Sequence, residues 1–114
     1  MPGNKSYPRR WRLESLLRQE LSVLVSPAFS AELLTVRGVS MSRDLGVATV
    51  FYSLAPGADT EAAHQKLQTS AARWRRELAK KLNMRRTPQL VFSPDDGGIA
   101  ADKLRDFLEK VGGD

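Results

Sequence analysis

The sequence predicts an α+β domain in which the elements run α-β-β-α-β, the second helical stretch being long enough for two helices, with a short helix appended. Three observations predict it. Apolar residues recur every three to four positions from Leu13 to Val25, from Ala63 to Leu82 and from Leu104 to Val111. Two runs rich in β-branched residues, Leu33 to Ser42 and Val47 to Leu54, flank a short polar turn. Pro27, Pro56, Pro88 and Pro94 fall at the joints between these stretches.

Taken in order, residues 1–8, with Pro2, Gly3, Asn4, Ser6 and Pro8, read as a flexible N-terminal tail. The first helix starts near Arg9, carries Leu13, Leu16, Leu17, Leu21, Leu24 and Val25 on its apolar side, and is stopped by Pro27. The two β runs joined by Ser42-Arg43-Asp44-Leu45-Gly46 form an antiparallel hairpin, with Gly38 as a candidate bulge. Asp59 or Thr60 caps the next helix, and Glu61 suits its first turn. Its stripe, Ala63, Leu67, Ala71, Trp74, Leu78 and Leu82, runs about six turns, and Ser70-Ala71-Ala72 is where two helices would meet at a kink. Pro88 ends it, Gln89-Leu90-Val91-Phe92 is a short third strand, and Leu104, Phe107, Leu108 and Val111 mark the short C-terminal helix. The chain divides into the tail 1–8, a domain at 9–96, and a C-terminal tail or short helix at 97–114.

At 114 residues the chain fits one domain with one modest core. No apolar run approaches the roughly 18 residues of a membrane span, and the N-terminus is too polar for a secretory signal, so a cytoplasmic protein without membrane contact is expected. The absence of cysteine excludes disulfides, thiolate metal sites and thiol nucleophiles.

The net charge of +5 is unevenly spread. Residues 64–86 hold Lys66, Arg73, Arg75, Arg76, Lys80, Lys81, Arg85 and Arg86 against Glu77 alone, a window of +7 that exceeds the whole chain. At about 100° per residue, Lys66, Arg73, Arg76 and Lys80 share one sector of about 80°, away from Leu67, Trp74 and Leu78. Two readings fit: a face that follows a phosphate backbone, to which arginine's fork is suited, or a solvated helix face. Arg85 and Arg86, past the helix end, also complement its dipole.

No constellation for catalysis is present, so no enzyme, cofactor or metal is expected. His64 has no second histidine or acid at ligand spacing and reads as a half-exposed helix residue. Asp95-Asp96 before Gly97-Gly98 reads as a solvated turn, and Asp102 and Asp106 as surface charge. Trp74 lies in the apolar stripe and is expected in the core, whereas Trp11, among Arg9, Arg10 and Arg12, is open between packing and base stacking.

Three segments carry a resemblance to a known family. Arg9-Arg10-Trp11-Arg12-Leu13 resembles an opening Arg-x-x-Arg followed by an aliphatic residue, with Arg18-Gln19-Glu20-Leu21-Ser22 continuing the helix. Val39 to Val50 fits the pattern Val-x-x-Ser-x-Asp-Leu-x-x-Ala-x-Val, and Leu82 to Phe92, followed by Asp95-Asp96, is similar to a third-strand signature. In this order and spacing they resemble the ribosome-binding factor A family of small-subunit assembly factors, over about residues 9–96. The resemblance implies a type II KH-like fold, α-β-β-α-α-β with a three-stranded sheet, and an Ala-x-Gly kink between the second and third helices. Ser70-Ala71-Ala72 stand at that kink, and the Gly-x-x-Gly phosphate clamp of other KH domains is absent from the family and from this sequence.

The resemblance further implies binding to the immature small (30S) ribosomal subunit and its ribosomal RNA, promoting late maturation and processing. Combined with the charge pattern, it makes Arg9, Arg12, Arg43, Arg73, Arg76, Lys80, Arg85 and Arg86 the residues expected to contact RNA phosphates, in a monomer. The competing readings are another KH-like RNA-binding or ribosomal protein, and a protein-interaction domain. Binding that ignores salt and survives nuclease would mark the last.

Overall fold

Proline decides where the first helix ends. Helix α1 (Arg9–Val25) gives way to a 3-10 turn, Ser26–Phe29, in whose first turn Pro27 sits. The structure, a computed structural model, describes residues 9–95; the expected N-terminal tail and the C-terminal helix at Leu104–Val111 lie outside the described residues. Strands β1 (Thr35–Met41) and β2 (Val47–Ser53), helix α2 (Thr60–Leu82) and strand β3 (Gln89–Pro94) complete the order.

The three strands form one sheet in the order β1-β2-β3. β1 and β2 pair antiparallel, as a short polar turn requires, and β2 and β3 pair parallel, which needs the crossover that α2 supplies. The expected bulge is present: Val36 faces Tyr52 while Gly38 faces Phe51, leaving Arg37 as the extra residue. The first strand starts at Thr35, two residues later than its composition suggests. Leu33 adopts a left-handed φ of 51° and is exposed, in a turn where its N–H donates to Ser30 and that of Leu34 to Phe29.

Both helices cover one face of the sheet. Leu17, Leu21 and Val25 of α1, Phe29, Ala63, Leu67, Trp74 and Leu78 of α2, and Val36, Met41, Ala48, Val50, Tyr52, Leu90 and Phe92 of the sheet form a single buried cluster. Trp74 meets Phe92 edge to face at 5.9 Å, which confirms its core placement. Leu16 does not join its neighbours: it is 44% exposed, because the buried line of α1 runs at i, i+4, i+8 and Leu16 lies about 100° round from Leu17. Arg37 and Asp95 pair at 3.8 Å across β2, near its end, where the Asp95 N–H donates to the Tyr52 carbonyl.

The α+β class and three-stranded sheet stand as expected, but the division of the long helical stretch is corrected. α2 runs 23 residues without a break through Ser70, Ala71 and Ala72, so there is one helix where two were expected. Alanine in place of the family's glycine favours continuous helix by about 1 kcal/mol, and Ala71 is seated against the core, which holds the middle of the helix on the sheet. The resulting length of about 35 Å does not force a bend, since the molecule's longest dimension is 45 Å. Among the described residues, no helix is long and apolar enough to cross a membrane.

Candidate nucleic-acid interface

Three connections place the basic segments of the chain at one end of the sheet. The β1–β2 turn is built by its own side chains. Ser42 Oγ donates to Asp44 Oδ1 at 2.8 Å and accepts from the N–H groups of Gly46 and Val47, and the Gly46 N–H also reaches Asp44 Oδ1 at 3.0 Å. Leu45, at φ 62°, closes the turn in the left-handed region. The Gly46 amide and then the Ser42 hydroxyl, with a small contribution from the Arg86 charge, hold the Asp44 carboxyl below its usual pKa of 3.8. Asp44 is therefore the brace that leaves Arg43 exposed at the turn.

The second connection is the α2–β3 turn. Asn83 caps α2 in the left-handed conformation, and Arg75 clamps the segment beyond it, donating through Nε to the Pro88 carbonyl and through Nη2 to the Thr87 carbonyl, both at 3.0 Å. The Gln89 N–H donates to the Gly46 carbonyl at 2.9 Å, so this turn, with Arg85 and Arg86, lies beside the turn that carries Arg43. The third is α1, whose Glu14 Oε2 accepts from the Met41 N–H at 2.8 Å. That bond caps the outward edge of β1 and sets the first turn of α1, with Arg9 and Arg12, near the same end.

The structure sorts the basic window into two groups. Lys66 donates to the Ala28 carbonyl at 2.8 Å and sits 4.7 Å over the Phe29 ring; Lys81 pairs with Glu20 at 3.4 Å; Arg75 clamps the α2–β3 turn. These three hold the fold together, so Lys66 leaves the positive stripe that its helical spacing predicts for it. Arg73, Arg76 and Lys80 are exposed on the side of α2 away from the core, over about 10 Å of helix, with Arg73 at 5.9 Å from the Trp74 ring. Arg85 and Arg86 continue the exposed positive surface past the helix end. All the phosphate-contact residues expected from the sequence are exposed, and among the described residues no carboxylate lies within ion-pair distance of any of them.

Sequence reasoning missed the residues that brace the fold. Arg75 counts toward the positive window, yet it stands about 160° from Arg73 around the helix, an offset that separates the two roles. Nothing local marks Glu14 as the partner of a strand edge, because Met41 is distant in the chain. His64 is half-buried, with Nδ1 at 3.0 Å from the Tyr52 hydroxyl, a packing role on α2.

Known proteins of one family are similar to this chain in sequence and in fold. The family model for ribosome-binding factor A matches residues 9–108. The chain belongs to the ribosome-binding factor A family. A ribosome-binding factor A of Rubrobacter xylanophilus is 36% identical over 103 residues, covering 90% of this chain and 84% of that protein. A crystal structure of ribosome-binding factor A from Thermus thermophilus superposes with a TM-score of 0.68 at 30% identity, covering 77% of this chain and 97% of that one. A homology model of the Thermus thermophilus factor, fitted into a cryo-electron microscopy map of its complex with the 30S subunit, gives a TM-score of 0.64 at 31% identity, over 72% and 90% of the two chains. The fold is accordingly the KH-like one of this family.

Proposed function

We propose that this chain binds the immature small ribosomal subunit through phosphates of its ribosomal RNA and promotes late maturation and RNA processing there, as a non-enzymatic, monomeric, cytoplasmic assembly factor. The observation that carries the reading is the contrast within the basic residues. Lys66, Arg75 and Lys81 are spent on the fold, while Arg73, Arg76, Lys80, Arg85, Arg86, Arg43, Arg9 and Arg12 are exposed with no carboxylate partner among the described residues. Exposed arginines at one end of a sheet attract a polyanion and grip its oxygens. Membership in the family supports the small subunit as the polyanion, and a family relative has been fitted into a map of its 30S complex.

The test is co-sedimentation with purified small-subunit precursors and with translating ribosomes, followed by cross-linking. An assembly factor tracks with the free precursors, is absent from translating ribosomes, and cross-links to RNA through the α2 face and the two turns. Equal occupancy of translating ribosomes would instead mark a ribosomal component.

A further inference from the structure

Alternation along the strands separates the two faces of the sheet. Ala48, Val50, Tyr52, Leu90 and Phe92 belong to the cluster that α1 and α2 cover. Thr49, Phe51 and Val91, which alternate with them, therefore point to the other face, with Thr49 paired to Val91 in the parallel register. Phe51 is 7% exposed, although it belongs neither to that cluster nor to the half-buried residues packed against it. Its cross-strand partners, Gly38 and Ser93, are small. Val91 is 41% exposed. Parallel pairing is characteristic of sheets covered on both faces, whereas α1 and α2 both lie on one.

Residues 96–114, outside the described residues, supply an occupant for the second face. Asp95 donates its N–H to the Tyr52 carbonyl at 2.7 Å and pairs with Arg37 of β1 at 3.8 Å, which holds the chain at the end of β2, next to Phe51. Gly97-Gly98 then allows it to reverse. Beyond them Ala100, Leu104, Phe107, Leu108 and Val111 fall within one sector of about 100° at helical spacing. A helix of residues 100–111 is about 18 Å long, against about 20 Å for β3. So short a helix is marginal in water and needs a surface for its apolar side. We propose that residues 100–111 form a helix that docks, by Leu104, Phe107, Leu108 and Val111, on the face of the sheet left open by α1 and α2, over Phe51 and Val91. The sheet becomes the middle of three layers, and Lys103, Arg105 and Lys110 fall on the helix's polar side. This docking face lies across the sheet from the basic line of α2, so the inference is independent of the RNA-binding function.

The test is nuclear Overhauser spectroscopy on the full chain with labelled Leu and Val methyls and labelled Phe rings. Cross-peaks are expected from the Phe51 ring to methyls of Leu104, Leu108 or Val111, together with helical Cα shifts over residues 100–111. Changing Leu104, Phe107 and Leu108 together to Gln keeps helix propensity and net charge but removes the apolar side. In that variant the cross-peaks from Val111 to Phe51 should vanish, while the Trp74–Phe92 contact persists and shows that the core is folded. Its urea midpoint and the slope of its unfolding free energy against urea should both fall, because less surface is buried on folding. A wild type with no cross-peak between residues 99–111 and Phe51 or Val91 overturns the proposal. A triple variant that unfolds as the wild type does overturns it too. In a mixture of differently labelled chains, cross-peaks found only between copies would put a second molecule on this face and overturn docking within one chain.

Discussion

At the scale of residues, the Ser42–Asp44 pair shows how a turn can be stiffened without burial. Ser42 Oγ serves two backbone amides and one carboxylate, so replacing it with alanine leaves Gly46 and Val47 N–H groups to water and lets the turn open. Ser42→Ala should lower stability by about 1–2 kcal/mol, read by urea unfolding. The Asp44 carboxyl has a native pKa below its usual 3.8, chiefly through the Gly46 amide. A depressed acid stabilises the fold above its ordinary pKa, and that contribution is lost as pH falls through the lower native value. Wild type should therefore exceed Asp44→Asn in stability at neutral pH, and the gap should narrow below about pH 4 and close under strongly acid conditions. A gap that stays constant across an acid titration would show that Asp44 braces nothing through its charge.

At the scale of elements, α2 is the part of the fold with two jobs. Its inner line packs Leu67, Trp74 and Leu78 on the sheet, its outer line presents Arg73, Arg76 and Lys80, and Arg75 between them clamps the turn after the helix. Continuity through Ser70-Ala71-Ala72 keeps these lines in register. Restoring the family's glycine, Ala72→Gly, should lower the melting temperature by about 4–8 °C, the shift expected for about 1 kcal/mol in a domain of this size. Calorimetry checks it, and no change would mean that the helix has no preference for alanine there. Arg75→Gln removes two charge-assisted hydrogen bonds to the Thr87 and Pro88 carbonyls. It should cost about 2–3 kcal/mol of stability and speed amide exchange in the α2–β3 turn, since those carbonyls lose their donors. RNA binding at saturating folded protein should change far less, because Arg75 is not on the exposed face.

At the scale of the whole molecule, the position of a charge matters as well as the net charge. Changing Arg73, Arg76 and Lys80 together to glutamine should weaken RNA binding strongly at low salt. It should also lower the slope of log affinity against log salt by about 2, at roughly 0.7 per phosphate neutralised on a single strand. The matched control, Lys103, Arg105 and Lys110 to glutamine, removes the same charge from the acidic C-terminal block. Equal losses in both triple variants, measured by titration at several salt concentrations, would reduce the α2 face to general attraction. Much of the arrangement is legible in the sequence, because the signals are local. Periodicity and turn residues define the strands and the first helix within a residue or two, and the motif at Val39–Val50 marks the family; the long helix instead ends at Leu82 on the Asn83 cap, well before Pro88. The basic window is visible too, since charge needs no fold to be counted. Tertiary structure alone decided which of those charges are engaged. Lys66 finds Ala28, Lys81 finds Glu20 and Glu14 finds Met41 across gaps in the chain that no periodicity encodes. It also decided that the turns bearing Arg43 and Arg86 lie side by side, through the parallel pairing of β2 with β3. The physical reason is common to all of these: helix and strand are fixed by neighbours within a few residues, whereas a hydrogen bond or ion pair between distant segments exists only once packing has brought their atoms together.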